Sequence, residues 1–267
     1  MYEKKCAPWL WLWRSRTAAK MDERALFIRS VSLAEPPQGW LRDIPAIAHL
    51  MKEEITLSKP VTFFVGENGT GKSTLLEAIA VVSGFNPEGG TRNFRFSTQD
   101  THSSLSHYLR LSRNRYAKDG FFLRAESFYN VASYIDKLDA EPHFGGPLIN
   151  SYGGVSLHDQ SHGESFLALV QHRFHSDGLY FLDEPEAALS PMRLMTLMAE
   201  IHTLAAGGAQ FLIATHSPIL MTLPNAQILQ FTAAGIEEVS YRETEHFQIT
   251  KQFLDSPERM LHYLLSE

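Results

Sequence analysis

The segment that most constrains the fold is GENGTGKS, Gly66 to Ser73, which matches the pattern G-x-x-x-x-G-K-[S/T]. It follows VTFFV (61–65), a short apolar run rich in β-forming residues. It precedes TLLEAIAVVSG (74–84), where apolar residues recur at helical spacing. A strand, a glycine-rich loop and a helix in this order can bind phosphate, because loop N–H groups and the positive end of the helix dipole face the same point. The segment therefore predicts a nucleotide-binding loop.

The residues of this loop have separate predicted roles. Gly66, Gly69 and Gly71 allow backbone conformations and close approaches that a Cβ atom prevents. Lys72 is expected to hold the β and γ phosphates of a nucleotide, and Ser73 to offer its hydroxyl to Mg²⁺. The other residues expected to contact the nucleotide are Glu67, Asn68, Thr70 and Thr74.

Two adjacent carboxylates follow a second apolar strand, LYFLDEP (179–185). Ligands of α/β sheets bind at the carboxyl ends of strands, so Asp183 is predicted to reach Mg²⁺ and Glu184 to orient or deprotonate the attacking water. Acidic residues after a buried strand often only end it in solvent, and the pair by itself fits both interpretations equally. The phosphate loop favours the catalytic one.

Further strands are predicted at 210–215, 227–231 and 236–241, and a Met-rich helix at 191–206. This alternation indicates an α/β fold, with a largely parallel central sheet flanked by helices and a smaller antiparallel portion. The polar segment 86–154 is predicted to form a small inserted, helical lobe.

Length and composition favour one domain over residues 21–267, since 267 residues that are 44% hydrophobic can bury a sizeable core. Residues 1–20 are interpreted as a disordered or locally packed leader, whose apolar stretch 7–13 is too short to cross a bilayer. The lone Cys6 suits a reducing cytoplasm. We therefore expect a cytoplasmic protein without stable membrane insertion.

The net charge of −6 gives no overall attraction for nucleic acid or an anionic membrane. A local basic stretch contains Arg110, Arg113, Arg115 and Lys118. It could contact nucleic acid or a protein partner, although a solvated face is the default interpretation of such a stretch.

The stretch SHGES has the spacing of a helix capping box, with Ser161 as cap and Glu164 three residues later. A capping box does not explain Gly163, because glycine in a first turn costs helix stability and usually marks close backbone approach to something else. An anion is the natural candidate.

Five short motifs of the sequence, taken in chain order, resemble those of ABC-type ATPases. GENGTGKS corresponds to the Walker A loop, SHGES to the signature, LYFLDE to Walker B, EAALS to the D-loop, and ATHSP to the switch histidine, His216. Ser161 lies 89 residues after Lys72, Asp183 lies 22 residues after Ser161, and His216 lies 33 residues after Asp183. Such spacing is similar to that of a compact ABC head, a form of P-loop NTPase.

The resemblance implies an Mg²⁺-dependent ATPase that works as a homodimer. In that family the signature contacts ATP held by the second subunit, so Ser161, Gly163 and Glu164 would contact the partner's nucleotide, and ATP would join the dimer. His216 would contact the γ-phosphate within its own subunit, as a catalytic residue with Lys72 and Glu184. A histidine held only by backbone at a strand end is the alternative interpretation of His216.

Some features resemble RecF, SMC and OLD-type heads more than transporter subunits, notably Glu164 at the end of the signature and the sequence THSP. The lid glutamine, a further metal ligand of the family, would be Gln99. Three roles stay open: a regulatory or DNA-associated ATPase, an ATP-gated module that binds a protein effector, and a transport subunit.

Overall fold

The structure is a computed structural model that describes residues 26–94, 104–140 and 147–266. The predicted leader 1–20 and Gln99 lie outside these ranges. None of the helices within them combines the length and the apolar character needed to cross a membrane.

The strands, in chain order, are β1 (Ile28–Leu33), β2 (Ile55–Thr56), β3 (Val61–Gly66), β4 (Leu109–Arg113), β5 (Asp119–Arg124), β6 (Gly178–Asp183), β7 (Gln210–Ala214), β8 (Gln227–Thr232) and β9 (Gly235–Glu238). The helices are α1 (Pro45–Leu50), α2 (Lys72–Val82), α3 (Phe128–Ala140), α4 (His162–Arg173), α5 (Pro191–Ala206), α6 (Glu245–Asp255) and α7 (Pro257–Leu265), and short 3-10 turns join several of these elements.

Six strands form the central sheet in the order β5-β6-β7-β3-β8-β9. Neighbouring strands pair in parallel except β9, which runs antiparallel to β8. A second sheet, β2-β1-β4, is antiparallel. This architecture confirms the predicted α/β class with a largely parallel sheet and an antiparallel portion.

The central strands β3, β6 and β7 are buried at every position. Because successive side chains of a strand point to opposite faces, Phe63 and Val65 join one apolar core while Phe64 joins the other, beside α2. Burial on both faces explains why these strands appear in the sequence as continuous apolar runs rather than as alternating patterns.

The predicted helix at 191–206 has the bounds of α5, and the strand predicted at 61–65 extends by one residue to Gly66. The strand predicted at 236–241 was too long, since β9 ends at Glu238. There Ser240 and Glu243 form a capping box that starts a 3-10 turn, so the backbone leaves the sheet.

Two strands of the segment 86–154 belong to the sheets. β4 pairs with β1, and β5 is the edge strand of the central sheet beside β6. The apolar-polar alternation of LRLSR is the signal for β4, which the prediction of a small inserted, helical lobe did not take into account.

Two arginines of the basic stretch bond to other parts of the chain. Arg113 donates to the carbonyl of Val82 at 2.9 Å, and Arg115 contacts Asp177 at 2.5 Å. Arg110 is exposed. These internal contacts of Arg113 and Arg115 reduce the positive charge available for an external partner.

Gln210, at the start of β7, ties the antiparallel sheet to the central sheet. Its buried side-chain oxygen accepts from the N–H groups of Phe27 and Ile28 at 2.8 and 2.9 Å, and its nitrogen donates to the carbonyl of Ile28 at 2.9 Å. One amide therefore satisfies three backbone groups at the beginning of β1.

Gln210→Leu should lower the free energy of unfolding by about 3 kcal/mol, because leucine leaves those buried backbone groups without partners. Chemical denaturation would measure the change. The matched control is Gln171→Leu on the exposed face of α4, which should stay within about 0.5 kcal/mol of the parent. Equal stabilities of the two variants would contradict this role for Gln210.

Candidate functional site

The phosphate loop begins where β3 ends, and its glycines hold conformations that other residues rarely adopt. Gly66 has φ 134°, and a Cβ there would lie 2.1 Å from the carbonyl oxygen of Phe231 on β8. Gly71 has φ 97°, and a Cβ there would lie 2.4 Å from the side chain of Ile44. The close approaches predicted for these glycines are therefore present between the loop and its neighbours.

Hydrogen bonds of Thr70 stabilise the loop, one within the loop and one to α1. Thr70 is buried, its hydroxyl donates to the carbonyl of Glu67 at 2.8 Å, and its carbonyl accepts from Ala46 N–H at 3.1 Å. Glu67 and Asn68 are exposed, as is Gly69, while Ser73 and Thr74 are half-buried at the start of α2.

Lys72 is only 4% exposed, and its ammonium donates to the carbonyls of Gly66 and Glu67 at 2.7 and 2.9 Å. Burial lowers the pKa of Lys72, and the carboxylates of Glu184 and Asp183 partly oppose this shift. Two of the three ammonium donors are used, so one remains for an anion.

Asp183 ends β6 and meets the phosphate loop directly, since the Ser73 hydroxyl donates to its Oδ1 at 2.8 Å. Its other oxygen lies 3.5 Å from Nε of Arg124, the residue opposite it on β5. Burial raises the pKa of Asp183 to about 6, against the opposing effects of Arg124 and of the Ser73 hydrogen bond.

Arg124 was missed in the sequence, and it organises the acidic side of the site. Its guanidinium pairs with Glu77 on α2 at 2.8 Å and with Glu126. The parallel pairing of β5 with β6 places Arg124 beside Asp183. An arginine at the end of an apolar strand was the available signal, but the strand order is not written in the sequence.

Glu184 leaves the strand in a left-handed conformation, with φ 49° and ψ 51°. Its N–H donates to the carbonyl of Ala214 on β7 at 3.0 Å. The side chain is about half exposed, and its Oε1 lies 3.7 Å from Nε2 of His216. This conformation costs a non-glycine residue about 1–3 kcal/mol, and residues strained in this way cluster at functional sites.

His216, the predicted switch histidine, has neighbours on two sides. The N–H of His216 donates to Glu186, whose pKa is raised by burial, and its ring Nδ1 lies 2.9 Å from Nε2 of His246 on α6. The interpretation of His216 as a histidine held only by backbone is therefore too simple, because its ring also contacts two side chains. His246 is a second residue that sequence analysis missed.

The SHGES stretch begins α4 as a capping box, in which Glu164 accepts from Ser161 N–H at 3.2 Å. Arg193 on α5 donates to the Ser161 hydroxyl at 3.1 Å and pairs with Glu164 at 2.8 Å. A Cβ on the buried Gly163 would lie 2.7 Å from Arg193 and 3.1 Å from the carbonyl of Ala188. Arg193 and Ala188 of the same chain therefore make a close approach at Gly163, and the contact with an anion stays a prediction.

Two protein-family models match the chain. One, described as "AAA domain", covers residues 47–137, and the other, described as "AAA domain, putative AbiEii toxin, Type IV TA system", covers residues 104–222. None of the curated proteins matches the sequence.

Several solved structures are similar to the chain at low sequence identity. A nucleotide-free ATP-binding cassette from an ABC transporter is 16% identical, with a TM-score of 0.50 over 91% of this chain and 100% of that one. The cbiO1 protein of Clostridium perfringens, part of the ABC transporter complex cbiONQ, is 15% identical, with a TM-score of 0.46 over 89% and 99%. The SMC head domain from Thermotoga maritima is 14% identical, with a TM-score of 0.42 over 80% and 99%.

The phosphate loop, the parallel sheet and the AAA models agree on one class of protein. The chain is a P-loop nucleoside triphosphate hydrolase, and its fold is that of an ABC/AAA-like ATPase head. The expected resemblance to an ABC-type head is confirmed at this level.

Asp183→Asn should stabilise the nucleotide-free fold at pH 8 by roughly 2 kcal/mol. The pKa of Asp183 is raised on folding, so its stabilising effect is complete below the ordinary value of 3.8 and lost as pH rises through about 6. Unfolding free energies from pH 4 to pH 8 would show a smaller decline for the variant than for the parent.

The matched control is Asp43→Asn at an exposed carboxylate, which should change the free energy of unfolding by less than about 0.5 kcal/mol. An Asp183→Asn protein that is less stable than the parent at pH 8 would contradict the unfavourable burial of this carboxylate.

Proposed function

We propose that the protein binds ATP with Mg²⁺ and hydrolyses it at two composite sites of an ATP-induced homodimer. The observation that carries this proposal is the 2.8 Å hydrogen bond between Ser73 and Asp183, beside the buried ammonium of Lys72. It brings together a hydroxyl, a carboxylate and a cation at the carboxyl ends of two parallel strands, where α/β proteins bind phosphate ligands.

Ser73 and Asp183 would hold Mg²⁺, which prefers oxygen ligands and, when bound, offsets the negative charge of the phosphates. The remaining donor of Lys72 would contact the β and γ phosphates. The loop residues from Gly66 to Thr74 would surround them with backbone N–H groups. Gln99 stays a proposed metal ligand on the family resemblance alone.

Glu184 would orient or deprotonate the attacking water. It is the more exposed member of the carboxylate pair, and its backbone is in the left-handed conformation directly after β6. His216, 3.7 Å from it, would contact the γ-phosphate. In phosphoryl transfer such groups act mainly by position and by compensating charge.

The proposal of a dimer is supported by the position of the signature residues in the fold. Ser161 and Glu164 are exposed, and their side chains bond to each other and to Arg193 rather than to the phosphate loop of their own chain. Ser161 and Glu164 therefore lie at the surface at the start of α4, where a helix N-terminus that contacts phosphate of a second subunit would lie. Gly163 would allow that phosphate to approach the backbone.

We propose a regulatory or DNA-associated role rather than transport, on the resemblance of SHGES and THSP to RecF and SMC heads. A protein effector gated by ATP is the alternative role, and the internal contacts of Arg113 and Arg115 favour it over direct nucleic-acid binding by the basic stretch. Salt-sensitive DNA binding by the ATP-bound protein would decide for DNA.

Lys72→Ala should lower ATP affinity at least tenfold, because each hydrogen bond from a charged donor contributes about 1.5–3 kcal/mol. Isothermal titration with a non-hydrolysable ATP analogue would measure this. Lys59→Ala, which removes an exposed lysine before β3, is the control and should bind as the parent does. Unchanged affinity in the Lys72→Ala protein would overturn the assignment of the loop.

Glu184→Gln should accumulate as an ATP-bound dimer, since the contacts with phosphate stay but the water is no longer activated. Ser161→Arg should bind ATP yet stay monomeric, because a bulky cation fills the exposed start of α4. Light scattering with MgATP distinguishes the two variants. A monomeric Glu184→Gln protein at saturating ATP, or normal hydrolysis by Ser161→Arg, would overturn the composite site.

A further inference from the structure

The ring of His216 lies between an acidic group and a second imidazole. Its Nε2 lies 3.7 Å from the Glu184 carboxylate, and its Nδ1 lies 2.9 Å from Nε2 of His246. Among the described residues, neither His216 Nε2 nor His246 Nδ1 has a hydrogen-bond partner within the chain. The two rings are tilted by 56° with their centroids 5.0 Å apart, so their contact is made through nitrogen rather than by stacking.

Two neutral arrangements of this pair are possible, because one ring must donate and the other must accept. If His216 donates from Nδ1, its Nε2 lone pair faces the Glu184 carboxylate, and the buried His246 Nδ1–H has no acceptor. If His246 donates from Nε2, the proton of His216 sits on Nε2 and faces the carboxylate. The second arrangement is electrostatically favoured, since it places a donor rather than a lone pair beside a negative charge.

The surroundings of both rings favour their neutral forms. Burial lowers the pKa of His216 and of His246, and the positive charge of Lys72 lowers both further. The carboxylates of Glu184 and Glu67 oppose the shift at His216, and those of Glu67 and Glu245 oppose it at His246. A neutral pair has the one donor and one acceptor that the contact requires.

His246 is fixed in the first turn of α6. The cap of this helix is the fully buried Thr244, whose hydroxyl accepts from Phe247 N–H at 3.3 Å and donates to the carbonyl of Tyr241 at 2.8 Å. The N–H of Glu245 donates to Gln230 on β8 at 3.3 Å. The imidazole of His246 is thereby held against the site by an element that follows residues 47–222, the part of the chain that the AAA models cover.

We propose that His246 is a positioning residue, which donates from Nε2 to Nδ1 of His216 and so keeps the His216 proton on Nε2, toward Glu184 and the γ-phosphate. The role of this proton in ATP hydrolysis rests on the proposed function, whereas the arrangement of the two rings is argued from their geometry alone. A neighbour that fixes the tautomer and ring orientation of a functional histidine commonly changes activity by about 10–100-fold when it is removed.

Long-range proton–nitrogen NMR of the full chain, labelled with ¹⁵N-histidine, reads directly which ring nitrogen carries the proton. His216→Gln and His246→Gln assign the two rings by loss of their signals. In the nucleotide-free parent, His216 should carry its proton on Nε2. His246→Leu should give a mixture of His216 tautomers, whereas His246→Gln, whose amide can donate from a similar position, should keep the parent tautomer.

Steady-state ATPase measurements give the second readout. His246→Leu should lower kcat about tenfold with little change in KM for ATP, and His246→Gln should recover most of that loss. A merely structural role would lower the activity of both variants together.

A parent His216 protonated on Nδ1, or a His216 tautomer unchanged in His246→Leu, would overturn the proposal, and the parent spectrum decides the first point even if a variant does not fold. ATPase losses of equal size in the Leu and Gln variants would also overturn it. A parent that hydrolyses no ATP would refute the proposed function instead, and the NMR result would still decide the arrangement of the pair.

Discussion

The structure depends on the hydrogen bond from Ser73 to Asp183, which joins residues 110 positions apart in the chain. This contact requires β3 and β6 to run in parallel, with the end of β6 close to the end of β3. The register provides this, since Asp183 pairs with Ala214 on β7 and Ala214 pairs with Phe64 on β3. The strand between them carries His216 two residues beyond its end. The ends of three neighbouring strands thus bring together the phosphate loop, the two carboxylates and His216.

This arrangement is unfavourable for the chain alone. Burial lowers the pKa of Lys72 and raises that of Asp183, so both charged forms are less stable here than in water. The hydrogen bonds of Lys72 to loop carbonyls and the pairing of Asp183 with Arg124 recover part of the cost. Phosphates and a divalent cation would supply the missing charge, which explains why a site that binds them can tolerate such burial.

Much of the site could be predicted from the sequence because it lies in contiguous stretches. The phosphate loop, α5 and the strand that ends at Asp183 each carry their own local pattern of apolar spacing, glycine or charge. Arg124 and His246 lacked such a pattern. Each reaches the site through tertiary pairing, Arg124 from the strand beside Asp183 and His246 from a helix after the last strand, and neither strand order nor helix docking is encoded in local periodicity.

Gly163 has close neighbours in its own chain, and its contact with a phosphate of a second subunit stays a prediction. The pattern required close approach, and Arg193 and the carbonyl of Ala188 make that approach. Arg193 also bonds to the hydroxyl of Ser161, and that hydroxyl donates to Glu164. Because α5 begins directly after residues 187–190, which lie in the proposed D-loop, Arg193 links the start of α4 to the residues proposed to lie between the two sites. A phosphate that binds Ser161 must compete with these contacts or add to them. Its binding would therefore change the contacts of Arg193 at the start of α5.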